Sequence, residues 1–433
     1  MCYAIPGKVK QILDRKVIVD YFGEERKAHN EIADLHIGDY IYAQGGFVIK
    51  KVPPSEAEEI LSTWKEMFFE LQQIDVRLSQ VGLEKVRLDK KISRILDRAT
   101  QGFPPSKDEM KYLFYCNDNS QLDIIFKTAN FLRQKYHKNA CCVHGILEIS
   151  NYCKQECLYC GISKNNKHVK RYRMRGNEIV DAAYEAIEKY GFKALVLQSG
   201  EDTAYSIEEL VEVIGEIKRR APVLIFISFG EVGIEGLQKL YDAGARGLLL
   251  RFETSNPELY KKTHPGCNLE TRLLHIRKAY EMGYLILTGG LIGLPDQTLD
   301  DVIDDIYLAK ELHAEMYSFG PFIPHPDTPL GHIEPIIELD MLKILAGARL
   351  IDPENGKVLI TTAFETLSPN ARRKGLLSGG SSVMLNVTPI SYREKYDIYP
   401  NRAYRSEVIQ NQIDETIDLL RSLGRAPTDL GIK

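Results

Sequence analysis

The sequence predicts an α/β protein: a (β/α)8 barrel of the TIM type, preceded by a small N-terminal OB-like β-barrel module and a helical linker. Three observations carry this. From Val143 onward, eight short apolar runs alternate with eight amphipathic segments, the pattern of parallel strands each followed by a helix. Polar residues and glycines collect directly after each apolar run, where such a barrel carries its chemistry. Before Pro53, by contrast, β-branched and aromatic runs are broken by Gly23, Gly38, Gly45 and Gly46, with no helical period.

In order along the chain, Lys8–Ile12, Lys16–Tyr21 and Tyr40–Ala43 read as strands. Pro53-Pro54-Ser55 opens a helix running from Glu56 to about Gln80, with Glu58 placed for a capping box. The charged run Glu84–Lys91 reads as a solvated linker or helix surface, and two helical segments follow near 90–135. The expected strands of the barrel are Val143–Ser150, Ala194–Gln198, Leu224–Ser228, Gly247–Phe252, Leu285–Thr288, Met316–Phe322, Val358–Thr361 and Ser382–Leu385. The helices after them are Asn177–Tyr190, Ile207–Arg220, Gly233–Asp242, Glu270–Met282, Leu299–Leu312, Ile336–Leu350, Asn370–Leu377 and Val408–Leu423. In the first of these, Ile179, Val180, Ala183 and Ile187 share one face. The expected division is a module over 1–80, a linker over 81–135 and the barrel over 136–433.

With 56 Lys+Arg against 60 Asp+Glu the net charge is -4, which argues against a nucleic-acid partner held through its phosphates. No apolar run reaches the ~18–20 residues needed to span a bilayer. The opening Met1-Cys2-Tyr3-Ala4-Ile5-Pro6 lacks a basic segment leading into an apolar one, so the cytoplasm is the expected location. In that compartment the 8 cysteines are expected as thiols or metal ligands rather than disulfides.

Cys153, Cys157 and Cys160 fall in a C-x3-C-x2-C spacing directly after the first barrel strand. Three thiolates on a short loop are one ligand short of a closed zinc site, and suit a [4Fe–4S] cluster with one iron left open. Zinc completed by a distant histidine is the competing reading. An amino acid chelating that open iron, with a sulfonium and a nucleoside attached, would need an Arg for its carboxylate and acids for its ammonium and ribose. Glu201 after the second strand, Glu253 after the fourth and Arg272 in the next helix could supply these. The Gly289–Pro295 stretch, which includes Leu291, would let the backbone approach a flat adenine.

The cysteine loop, with the aromatic Tyr159 before its last cysteine, and Gln198-Ser199-Gly200-Glu201 resemble the radical S-adenosylmethionine (SAM) superfamily. Lys170–Met174, Val196–Asp202, Gly293-Leu-Pro and Gly320–Leu330 are similar to the HydE family of [FeFe]-hydrogenase maturases; methylornithine synthase and biotin synthase look like the same subgroup. Met1–Val9, Val19-Asp20, Ile37–Asp39 and Gly46-Phe47 resemble the HypC/HupF family of hydrogenase-maturation chaperones, in which the cysteine after the initiator helps carry iron bearing CO and CN⁻. Cys2 stands at that position and is a candidate iron ligand, although Gln44 replaces the family's histidine.

These resemblances imply reductive cleavage of SAM to a 5′-deoxyadenosyl radical, in hydrogenase cofactor maturation. The [4Fe–4S] cluster would sit on Cys153, Cys157 and Cys160. SAM would be held by Glu253 and Arg272, with Ser199, Gly200 and Glu201 near its amino group and Tyr159 and Leu291 beside it. An iron–CO–CN substrate would lie deeper, at Gln198, Arg251, Thr361, Thr362 and Tyr392. A ferredoxin or flavodoxin is the expected electron donor, and other hydrogenase maturases are candidate partners. The alternatives are a radical SAM mutase or synthase on a small amino-acid-like substrate, or an iron-carrying scaffold. With no cysteine after Cys267, a second cluster near the C-terminus is not expected.

Overall fold

Five N-terminal strands, Gly7–Leu13, Lys16–Tyr21, Glu24–His29, Tyr40–Gln44 and Phe47–Val52, close into a small barrel in the order first, second, third, fifth, fourth. This is a computed structural model, and it describes residues 3–81 and 88–431. Two of the five strands were not evident in the sequence. Glu24–His29 has one buried residue, Ala28, so it carries no apolar alternation. Phe47–Val52 follows the turn at Gly45-Gly46 and carries two lysines on its outer side. Cys2 lies outside the described residues, as do 84–87 of the charged run.

The helix Pro54–Leu78 packs Trp64, Phe68 and Leu71 onto Tyr3, Val19 and Tyr21 of the module. The expected capping box is not formed: Pro53 is the N-cap and no side chain caps the helix. Pro54 at the first turn supplies a preset φ and has no N–H to satisfy, which lessens the need for one. Further along, Asp75 is buried between Arg133 and Arg425, at 2.7 Å and 3.0 Å, and pins this helix to both the linker and the C-terminal segment. The linker holds three helices rather than two: Lys90–Thr100, Lys107–Phe114 and Asn119–His137, capped by Asp89, Ser106 and Asp118.

Eight parallel strands then form a closed barrel: Ala140–Ser150, Ala194–Ser199, Leu224–Ser228, Ala245–Leu249, Leu285–Thr288, Ala314–Tyr317, Lys357–Ile360 and Ser382–Asn386. The eighth closes on the first through a register running from Ser382 opposite Cys142 to Asn386 opposite Ile146. A short strand, Ala426–Pro427, pairs with Ala140 and Cys141 at the start of the first. Helices follow each strand, and Ile179, Val180, Ala183 and Ile187 are buried as their spacing predicts. The N-terminal module sits against the N-terminal mouth of this barrel. Phe47 joins the apolar cluster of Cys142, Ala194, Leu224 and Phe226. Gly45 approaches so closely that a Cβ there would lie 2.6 Å from Leu224 and 2.8 Å from Leu285. Among the described residues no helix is long and apolar enough to cross a membrane.

Candidate active site

The first barrel strand ends at Ser150, and a long loop then crosses the C-terminal mouth before the helix Gly176–Glu188. Arg171 fixes this loop from inside. Its guanidinium donates to the carbonyls of Asn151 (2.5 Å), Ile162 (2.7 Å), Ser163 (2.6 Å) and Asn166 (3.2 Å). Cys153, Cys157 and Cys160 are held by this loop and face a cavity of about 300 Å³ in the barrel mouth. Burial pushes all three thiols up, Cys160 to about 12, so as free groups they stay protonated. Gly200, at the end of the second strand, lies directly beneath: a Cβ there would come within 2.8 Å of Cys153 Cβ and closer still to the Tyr152 carbonyl.

On the next wall Arg272 organises a buried charged cluster. It pairs with Glu201 at 3.2 Å and Glu231 at 3.1 Å, and donates to the Tyr260 hydroxyl at 2.9 Å and the Arg251 carbonyl at 3.2 Å. Glu201 also accepts from Gln155 at 2.7 Å and lies 3.3 Å from the Lys154 ammonium. Cys267 donates to Gln155 at 3.1 Å, which joins an otherwise isolated cysteine to this network. The cluster loop and the carboxylates therefore share hydrogen-bond partners.

Glu253 follows the fourth strand with φ 67, a left-handed conformation uncommon outside glycine. That turn aims its carboxylate into the cavity, where it pairs with Arg251 at 3.3 Å and leaves Oε2 without a hydrogen-bond partner. Its carbonyl accepts from Leu291 N at 2.9 Å, which sets the backbone of the glycine-rich stretch along the same wall. Tyr159 meets His264 through its hydroxyl at 2.8 Å and packs edge-on against Phe322.

Deeper in the cavity are Gln198, Arg251, Thr361 and Thr362, with Ile146, Leu249, Leu359 and Met384 as an apolar floor. Tyr392 is not among the lining residues. It stands outside, donating to Glu178 at 2.9 Å and packing on Tyr172. The turn Ile390–Arg393 carries it to the outer helix, so the sequence expectation for this residue is corrected. Tyr399 and Arg402 line the cavity instead. Arg402 is paired with Glu148 of the first strand, and both leave a buried atom without a hydrogen bond, Arg402 Nε and Glu148 Oε2. Sequence reading missed Glu148, Gln155, Glu231, His264, Tyr399 and Arg402. Gln155, lying between two of the loop cysteines, and Glu231, closing the loop after the third strand, carried a positional signal.

The thiols fit a cluster with one open iron: three line the cavity, and among the described residues no histidine or carboxylate joins them at the spacing of a single ion. Residues 147–309 match the family model described as Radical SAM superfamily, and the barrel with its cysteine loop is that of a radical SAM enzyme, whose cofactors are a [4Fe–4S] cluster and SAM. The [FeFe] hydrogenase maturase subunit HydE of Thermotoga maritima is 38% identical over 322 residues, covering 74% of this chain and 92% of its own. The chain belongs to the HydE family.

3-Methylornithine synthase of Methanosarcina acetivorans is 28% identical over 340 residues, 78% of this chain and 94% of its own. The crystal structure of methylornithine synthase (PylB) superposes with a TM-score of 0.68 at 23% identity, covering 77% of this chain and 97% of its own, and shares the fold. Residues 1–64 match the HupF/HypC family model.

Proposed function

We propose that this radical SAM enzyme acts on an iron–CO–CN precursor in hydrogenase cofactor maturation. The observation that carries the reading is the fusion of a HupF/HypC-type module to a HydE-type barrel whose cavity is lined by Arg251 and Arg402 together with the three loop cysteines. Arg251 pairs with Glu253 and Arg402 with Glu148, so this wall offers guanidinium N–H donors to cyanide ligands without a net positive charge.

In this reading Cys153, Cys157 and Cys160 hold the cluster, which together with SAM supplies the 5′-deoxyadenosyl radical. Glu253 and Arg272 hold SAM, with Ser199, Gly200 and Glu201 at its amino group and Tyr159 and Leu291 along its flank. Gln198, Arg251, Thr361 and Thr362 contact the substrate, with Tyr399 taking the place first expected for Tyr392. The apolar floor and the loop over the mouth exclude water from the reacting atoms. Cys2, in the module spanning 1–80, carries iron for the same pathway, in the cytoplasm, with a ferredoxin or flavodoxin as electron donor and other maturases as partners.

The test is anaerobic reconstitution followed by dithionite and SAM. Methionine and 5′-deoxyadenosine are expected, together with infrared CO and CN⁻ bands that shift when an iron–CO–CN complex is added. Absence of SAM cleavage would leave the scaffold reading. Cleavage with no bound iron–CO–CN species, but turnover of an amino acid, would leave the mutase or synthase reading.

A further inference from the structure

A second group of metal-binding side chains lies at the opposite end of the barrel. Cys142 and His144 are two residues apart on the first strand, so both point into the lumen at its N-terminal mouth. Asp429 follows the short strand Ala426–Pro427 that pairs beside them. The thiol, an imidazole nitrogen and a carboxylate oxygen lie within 4.8 Å of one another, the one such group among the described residues. All three residues are buried, with exposures of 4%, 3% and 1%.

Two further observations point to a ligand. His144 Nδ1 is buried without a hydrogen-bond partner, while Nε2 lies 3.2 Å from Asp429 Oδ2. With the proton on Nδ1, Nε2 turns a lone pair toward Asp429 Oδ2, and their 3.2 Å separation is close to the edge between two ligand atoms each about 2.0–2.1 Å from one tetrahedral ion. The void bounded by Cys142, His144, Asp429 and Gly45, with the Lys357–Glu315 ion pair and apolar side chains on its other walls, measures about 10 Å³, close to the volume needed for one water or one ion. Gly45 belongs to the N-terminal module, so this void is capped by it.

We propose that Cys142, His144 and Asp429 form a second metal site, binding one divalent transition-metal ion of the zinc or ferrous type. One thiolate, one imidazole and one carboxylate match the borderline-soft ligand preference of these ions, and water completes a four-coordinate shell. The ion ties the first barrel strand to the C-terminal strand beneath the module. It is independent of the loop cysteines, which lie at the other mouth.

The experiment uses the cluster-loaded holoenzyme, with Zn²⁺ as the probe. After desalting, one zinc per chain beyond the cluster iron is expected. Its X-ray absorption should show a single sulfur at about 2.3 Å among lighter ligands at about 2.0–2.1 Å. His144→Gln and Asp429→Asn, which keep side-chain size, should each lower zinc retention at least tenfold, and Cys142→Ser should remove the sulfur. Cys2→Ala should retain the zinc in full. No retained zinc, a shell of several sulfurs, undiminished zinc in all three variants, or loss of zinc in Cys2→Ala would each overturn the proposal. The wild-type sulfur count decides the matter even if the variants fold poorly.

Discussion

Arg272 is the side chain on which the charged wall of the cavity depends. Its side chain is 11% exposed and those of Glu201 and Glu231 are 8% and 15%, so both ion pairs are largely removed from water. Replacing Arg272 by Met deletes both pairs and the hydrogen bonds to the Tyr260 hydroxyl and the Arg251 carbonyl. Glu201 keeps Gln155 and Lys154 as partners, but Glu231 Oε1 has no hydrogen bond to fall back on. Breaking a buried pair from one side costs about 3–5 kcal/mol, mostly as the penalty of the charge left behind. Arg272→Met should therefore lose about that much in anaerobic urea unfolding followed by circular dichroism. Adding Glu231→Gln should recover about 1–3 kcal/mol, because an uncharged amide is cheaper to bury unpaired. The reasoning fails if Arg272→Met loses less than about 1 kcal/mol, or if the double variant is as unstable as the sum of the singles.

Three further outcomes follow from the same geometry. Gly200→Ala should cut cluster iron severalfold after reconstitution while leaving the circular dichroism unchanged, since its Cβ would displace the Tyr152–Cys153 backbone. Tyr392→Phe should leave SAM cleavage unchanged and cost about 1 kcal/mol or less, the value of its bond to Glu178, whereas Arg402→Lys should impair turnover because one ammonium cannot replace both the guanidinium's bond to Glu148 and its bond to the Tyr396 carbonyl; comparing product yields of the two checks this. Burial lowers Lys193, beneath the Tyr42 ring of the module, to about 8. Between pH 8 and 10.5 the unfolded chain holds a proton that the folded one has released, so this group makes stability rise with pH across that window. Lys193→Met should remove that part of the slope, measured as the difference between the two unfolding-against-pH curves.

The barrel was legible because its strands are buried and its helices amphipathic, so each unit announces itself: Leu224–Ser228 and Ile207–Arg220 have the bounds that the periodicity predicts. The cluster loop was legible because its three cysteines are adjacent in sequence. What escaped is what depends on distant parts of the chain meeting. Arg402 sits in a segment without helix or strand period, and its role exists only because Glu148, 254 residues earlier, faces it across the lumen. Glu231 and His264 are ordinary polar residues until Arg272 and Tyr159 reach them. Tyr392 departs in the opposite sense: the resemblance put it in the pocket, and a single turn, Ile390–Arg393, is enough to carry it instead to a half-buried place between Tyr172 and Glu178.

The placement of the module bears on what the fusion can do. Phe47 and Gly45 close the N-terminal mouth, whereas Cys153, Cys157 and Cys160 line the C-terminal one. Between them lies an apolar layer: Phe226, Leu287 and Met316 face the lower void, and Leu359 and Met384 floor the upper cavity. A charged or strongly hydrated iron complex would lose its solvation in crossing such a layer. The module is therefore poorly placed to feed the reaction cavity directly along the barrel axis unless those side chains part. Its immediate physical effect is to close the lower mouth, where Gly45 and Phe47 pack against the barrel. A barrel closed at its lower end limits the routes by which water reaches a radical, and this benefit of the fusion does not depend on what Cys2 carries.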